Sequence, residues 1–352
     1  MAADSERDEA APPPDVRPAL ARADQRWLAV LRDRFAAMHE QRRLPHGILI
    51  YGQSGAGQLD IGLWLANHLL CRSDMRKPCG SCADCHLFLA GSHPDFYWVS
   101  ILEDKKDIAV HQVRRLTESL TLRSYRGGPK IALVEPAEAM NIHSFNALLK
   151  TLEEPPEETY LLLATSRSDR IPRTIASRCA RFRVPLPKTG DALAWIQAAG
   201  VMQDAESLLR LANGAPFLAA EYAAQGLGEL DAEMNEALAS GTNGRLDVIA
   251  LAPDWAEKAP AARLHWLESW LARALKEAGL SGELVNNNRL PWLQGPARDM
   301  KIRSAYRLLD DLRDAQRPQA SSLNAQLKFE RLLVSLAALL GGAPDRRQES
   351  TE

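Results

Sequence analysis

The 352-residue sequence contains no uncharged apolar run of the roughly 18–20 residues that a membrane-spanning helix requires. Its first residues are rich in Ala, Pro, Asp and Glu and lack a hydrophobic segment, so the expectation is a cytoplasmic protein with no membrane partner. A surplus of basic charge is also missing. The 43 Lys and Arg face 45 Asp and Glu, a formal net charge of -2, which is not the footprint of an autonomous nucleic-acid binder. Any DNA contact is then local or made through partners. Cysteine is scarce at five residues, yet four of them, Cys71, Cys79, Cys82 and Cys85, fall within one short stretch. In a reducing compartment that clustering argues for a metal and against disulfides.

What the sequence does contain is an apolar run, Gly47-Ile48-Leu49-Ile50-Tyr51, feeding a glycine-rich turn that opens a helical pattern. This is the strand, loop and helix order of a P-loop. In the working form, G-x-x-x-x-G-K-[ST], backbone N–H groups surround the phosphates, the Lys reaches the β/γ-phosphates and the hydroxyl ligates Mg²⁺. Gly52, Gly55 and Gly57 keep the shape, but Gln58 stands in place of the Lys and Leu59 in place of the Ser/Thr. The expectation is a degenerate loop that binds and hydrolyses no ATP. Taken alone, the stretch also reads as a plain glycine-rich turn. A second apolar strand, Lys130 to Glu135, should end in the acidic pair that holds Mg²⁺ in ATPases of this kind. Here it ends in Glu135-Pro136-Ala137-Glu138, with at most one carboxylate in place.

Cys71, Cys79, Cys82 and Cys85 are spaced to close a tetrahedral structural zinc site, and Gly80 permits the tight turn between ligands. Cys71 ends a helical pattern, so His86 or His93 is an alternative fourth ligand. Residues 1–22 have little to bury and are expected to be a disordered tail. An α/β domain is expected over 23–186, with Trp27, Leu28, Leu31, Phe35 and Met38 on one face of its first helix. The helix from Asn141 should stop at Glu153-Glu154-Pro155-Pro156 because proline cannot continue the ladder. Short helices follow over 187–241 and longer ones over 242–341, interrupted by a Ser/Gly/Asn/Pro-rich loop from Ser281 to Pro296, before a polar tail at 342–352. The leucine stripe of the last helix suits either an intramolecular core or an oligomer contact.

Asn146-Ala147-Leu148-Leu149-Lys150-Thr151-Leu152-Glu153-Glu154-Pro155-Pro156 followed by Ser177-Arg178-Cys179 resembles the AAA+ subunits of sliding-clamp loaders. Within that family, a four-cysteine insertion combined with defective ATP motifs resembles the noncatalytic member of the bacterial DNA polymerase III clamp loader. The motif-bearing likeness runs over roughly residues 43 to 186. It implies an AAA+ P-loop domain with its zinc module at 71–86, a helical lid, and an all-α C-terminal collar that holds an oligomer together. It also implies gamma/tau and delta subunits as partners, the sliding clamp and primed DNA met through the complex, and structural Zn²⁺. The assembly would serve a DNA-directed DNA polymerase, a nucleotidyltransferase, while this chain is not an ATPase on its own. Arg178 is implied as an arginine finger supplied in trans to a neighbour's ATP, a reading that its place between Ser177 and Cys179 favours over the alternative of a surface Arg in a solvent-screened ion pair. Active members carry a phosphate-sensing Arg after the turn at Asn213-Gly214-Ala215-Pro216; Phe217 and Leu218 stand there instead. Two rival readings are a self-sufficient gamma/tau-type ATPase and a zinc-module DNA-binding protein, the latter lacking an aromatic platform or recognition helix around Arg76 to Cys85.

Overall fold

The computed structural model describes residues 15–103, 105–242, 246–280, 298–316 and 325–340. The expectations for residues 1–14, for the loop from Ser281 to Pro296 and for the polar tail lie outside the described residues. The chain divides into two compact units, Met1–Gly190 and Asp191–Glu352.

The first unit is built on a five-stranded sheet of β1 (Gly47–Tyr51), β2 (Phe96–Val99), β3 (Lys130–Val134), β4 (Thr159–Thr165) and β5 (Ala180–Arg183). The spatial order is β2-β3-β4-β1-β5 and every pairing is parallel. Ile48, Leu49, Ile50, Ile131, Ala132, Leu133, Leu162, Leu163 and Ala164 are all fully buried. Strands covered on both faces read as continuous apolar runs, and that is why these segments do not alternate. The covering helices are α1 (Arg17–Ala23), α2 (Arg26–Glu40), α3 (Gln58–Leu70), α4 (Ala83–Leu89), α5 (Val110–Thr121), α6 (Ile142–Glu153) and the short α7 (Arg173–Ala176). α6 starts where the Asn141 side chain accepts the Ser144 N–H, and it ends two residues before Pro155. On β3, Lys130 is buried, and its ammonium donates to the carbonyls of Leu120 and Leu122 at the end of α5. A cation there satisfies orphan acceptors and complements the helix dipole.

The structure corrects the N-terminal expectation. Residues 17–22, assigned to the tail, belong to α1, which packs on α3. Val16, Ala19 and Ala23 form a small apolar stripe that is buried, and Arg22 donates to Asp60 at 2.7 Å. Two alanines and a valine are too little apolar surface to stand out in a Pro- and acid-rich stretch, yet they suffice against an existing helix.

The second unit is helical among its described residues: α8 (Thr189–Ala198), α9 (Ala205–Leu211), α10 (Pro216–Ala224), α11 (Leu230–Thr242), α12 (Val248–Glu257), α13 (Pro260–Leu280), α14 (Arg298–Ala315) and α15 (Ala325–Leu340). One core cluster runs from Ala192 to Leu340 and includes Leu332, Leu333, Leu336, Leu339 and Leu340 of α15. These leucines therefore fill an intramolecular core, whereas Leu327 of the same helix is exposed. Among the described residues no helix is long and apolar enough to cross a membrane.

Candidate functional site

The glycine loop connects β1 to α3 at the carboxyl end of the sheet, the side on which doubly wound folds bind ligands. Gly55 has φ 73° and Gly57 φ 111°, left-handed conformations that a side chain would strain. Gln58 does not point outward as a phosphate-binding Lys would. It is buried and folds back into its own loop, where its Oε1 accepts the Gly57 N–H at 3.1 Å and its Nε2 donates to the Gln53 carbonyl at 2.9 Å. A second, longer donation reaches the Thr165 carbonyl at 3.4 Å. The side-chain amide thus takes a backbone donor that a P-loop turns toward phosphate. Leu59 beside it offers only hydrocarbon.

Near this loop the carboxylates of Glu138 and Asp60 act on that of Glu135. Burial first, then the charges of Glu138 and Asp60, push Glu135 up to about 7. Glu138 accepts both the Ser166 N–H at 3.0 Å and its hydroxyl at 2.6 Å through Oε1, while its Oε2 is buried with no hydrogen-bond partner. Asp60 is held by Arg22. Its membership of this group was not anticipated, although its place in the first turn of the helix after the glycine loop is a signal that could have suggested it.

The four cysteines come together as the spacing required. Their sulfurs lie within 4.8 Å of one another, with Cys71 to Cys82 and Cys79 to Cys85 each at 3.9 Å. A tetrahedron with metal–sulfur bonds of about 2.3 Å has edges of about 3.8 Å, so the four thiols fit a metal such as zinc. Cys71 caps the end of α3 and Cys82 caps the start of α4, so two rigid elements carry the site. Gly80, at φ 71°, makes the turn between them. The N–H groups of Cys79, Cys82 and Cys85 point at Cys71, Cys79 and Cys82 sulfurs respectively, at 3.3, 3.3 and 3.4 Å, which favours thiolates. Hydrogen bonds from Ser81 lead those that bring Cys79 down to about 5, while burial pushes Cys71 and Cys85 up. His86 is exposed, and the buried His93 is bonded to Asp84 at 3.2 Å and to the Asp95 N–H at 3.1 Å. Neither histidine joins the sulfur cluster.

Arg178 follows α7 at the other end of the sheet. Its carbonyl oxygen lies 3.1 Å from where a Cβ on Gly47 would sit, and β5 begins two residues later beside Ile48. The glycine loop leaves β1 from its far end, about 13 Å away at strand rise. The guanidinium bonds its own domain: Nε donates to Glu153 at 2.9 Å, Nη2 pairs with the same oxygen at 2.6 Å, and Nη1 donates to the Thr174 carbonyl at 2.8 Å. Both side chains of the pair are substantially exposed. The adjacent Cys179 is buried, which pushes its thiol up to about 11 and leaves it unsuited to nucleophilic work. In the second unit Phe217 and Leu218 begin α10 as buried core residues, with Phe217 against Trp195 at 4.8 Å between ring centroids.

Comparison with known proteins gives matches over both units. A family model described as DNA polymerase III, delta subunit, matches residues 29–188, and one described as DNA polymerase III, delta subunit, C terminal, matches residues 232–337. The DNA polymerase III subunit delta' of Pseudomonas aeruginosa is 34% identical over 306 residues, covering 84% of this chain and 93% of the relative. The subunit delta' of Escherichia coli K12 is 34% identical over 267 residues, covering 74% and 80%. The tau subunit of DNA polymerase III from Escherichia coli K12 is 36% identical over 143 residues, 40% of this chain but 22% of that protein.

Proposed function

The chain belongs to the DNA polymerase III subunit delta' family, and from that premise we propose that it is a noncatalytic subunit of a clamp loader. In this reading it binds no ATP, assembles with gamma/tau and delta subunits, and helps place the sliding clamp on primed DNA. Residues 187–241 serve as a lid and residues 242–341 as the collar that joins the subunits. The cysteine cluster holds Zn²⁺ in a structural role, because four sulfur ligands leave no position open for water.

The observation that carries the reading is the placement of two groups at opposite ends of one sheet. The glycine loop at the carboxyl end is closed on Gln58. Arg178 sits at the amino end, beside Gly47, where it cannot serve its own loop. A cation that is useless to its own module suits a role in a neighbour's active site, where a guanidinium stabilises charge on the transferring phosphoryl group. The self-sufficient ATPase reading draws on the partial match to tau, but it requires a loop that accepts phosphate, and here a side-chain amide fills it.

The test uses the reconstituted complex. Arg178→Ala is expected to lower DNA- and clamp-stimulated ATPase strongly at the one site it serves, where arginine fingers are worth about 10³–10⁵ in rate, with assembly intact. Arg178→Lys should be nearly as harmful, since an ammonium lacks the planar fork. Gln58→Ala should leave loading close to normal. If Gln58→Ala abolishes loading and Arg178→Ala does not, the roles assigned to the two ends of the sheet are reversed.

A further inference from the structure

Beside the cysteine cluster the first unit contains a cavity of about 410 Å³ that neither the glycine loop nor Arg178 lines. Its floor holds two carboxylates, both already occupied. Asp84 is paired with Arg126, with Arg72 at 3.4 Å and with His93 at 3.2 Å. Asp95 accepts the Tyr125 N–H at 2.8 Å and the Ser124 hydroxyl and Arg126 N–H at 2.9 Å each. The cations above them are not used up. Arg126 spends its Nε on Asp84, and among the described residues its two terminal nitrogens have no partner. Arg72 spends Nε on Asp84 and Nη2 on the Arg126 carbonyl, which leaves Nη1. Lys77 lines the same space with its ammonium unpaired among the described residues, and the one lining carboxylate without a partner is that of Glu158.

The cavity is therefore rich in unfilled donors and poor in unfilled acceptors. The terminal nitrogens of Arg126 can meet phosphate oxygens bidentately, Arg72 adds its Nη1, and Lys77 adds a point charge. The volume falls within the range of about 300–1,000 Å³ typical of small-molecule sites. Leu69, Leu70 and Tyr160 give the wall an apolar side. We propose that this cavity binds a phosphate monoester carried on a small organic body of nucleotide size, held by Arg72, Lys77 and Arg126. Inorganic phosphate shares the anion but not the body. The site is independent of the glycine loop and of the Arg178 reading.

Titration calorimetry on the metal-loaded full chain at low salt tests this, with inorganic phosphate, ribose 5-phosphate and AMP as the probes. One-to-one binding of at least one ester, tighter than inorganic phosphate, is expected. Lys77→Glu should weaken it at least tenfold, and Glu158→Gln should strengthen it several-fold. Metal content and thermal midpoint of each variant are measured alongside. Should Lys77→Glu lose metal, Arg72→Gln and Glu158→Gln carry the test. Failure of every ester to bind at 10 mM overturns the proposal. So does inorganic phosphate binding as tightly as the esters, or affinity that responds to none of the substitutions.

Discussion

Replacing Glu135 with Gln is expected to stabilise the first unit in alkaline solution and to do nothing in acid. Glu135 directly follows β3 and is pushed from an ordinary value of 4.5 to about 7 by burial, with the charges of Glu138 and Asp60 adding to it. The folded carboxyl therefore holds its proton more tightly than the unfolded one. Its favourable contribution is complete below about pH 4.5 and is lost as the pH rises through about 7. At 1.36 kcal/mol per pH unit the full displacement corresponds to about 3 kcal/mol. Allowing for partial exposure, about 2 kcal/mol is the expected gain for Glu135→Gln at pH 8.5, because glutamine keeps the shape and never ionises. For a unit of this size that raises the unfolding midpoint by about 4–8 °C. Urea unfolding followed by hydrogen-exchange protection of the β3 amides, at pH 4.5 and pH 8.5, measures it. A variant no more stable than wild type at pH 8.5 would refute the argument, since the ionised carboxylate would then have to be compensated by a partner.

Two further outcomes follow from geometry. Cys82→Ser should release the single bound metal and loosen the join between α3 and α4, and absorption spectroscopy on the wild-type holoprotein should show sulfur ligands only; nitrogen in the shell would overturn the four-thiolate set. Gly47→Ala should destabilise the first unit by about 1–3 kcal/mol, because its new Cβ meets the Leu152 Cδ2 at 2.9 Å and the Arg178 carbonyl at 3.1 Å in a packed interior; thermal unfolding reads the loss, and an unchanged midpoint would mean that β1 shifts freely.

The elements that were legible in the sequence are those specified by neighbours along the chain. β1, β3 and β4 announce themselves as apolar runs, and the cysteines fall at spacings that α3, the Gly80 turn and α4 convert directly into a tetrahedron. α6 is bounded by Asn141 and Pro155. What was not legible depends on residues far apart. The return of Gln58 into its own loop is a choice between solvent and nearby carbonyls that composition does not reveal. Arg178 meets Glu153 across 25 positions, and Asp60 joins Glu135 only because α3 packs on the sheet. α1 was missed because its apolar face consists of small side chains that acquire a use only against α3.

The pairing of Arg178 with Glu153 also has a consequence for timing. An exposed ion pair of this kind is worth about 0–1 kcal/mol, less than the thermal fluctuations of a few RT that accompany any docking event. The guanidinium is thus kept in a defined rotamer in the free subunit, near the face it would present, yet it can exchange one oxyanion for another without a barrier of note. If Arg178 serves a neighbouring subunit as proposed, such a resting contact would lower the entropy to be lost on engagement while leaving the arginine paired beforehand. On the role proposed for Arg178, Glu153 would be the placeholder whose departure accompanies assembly.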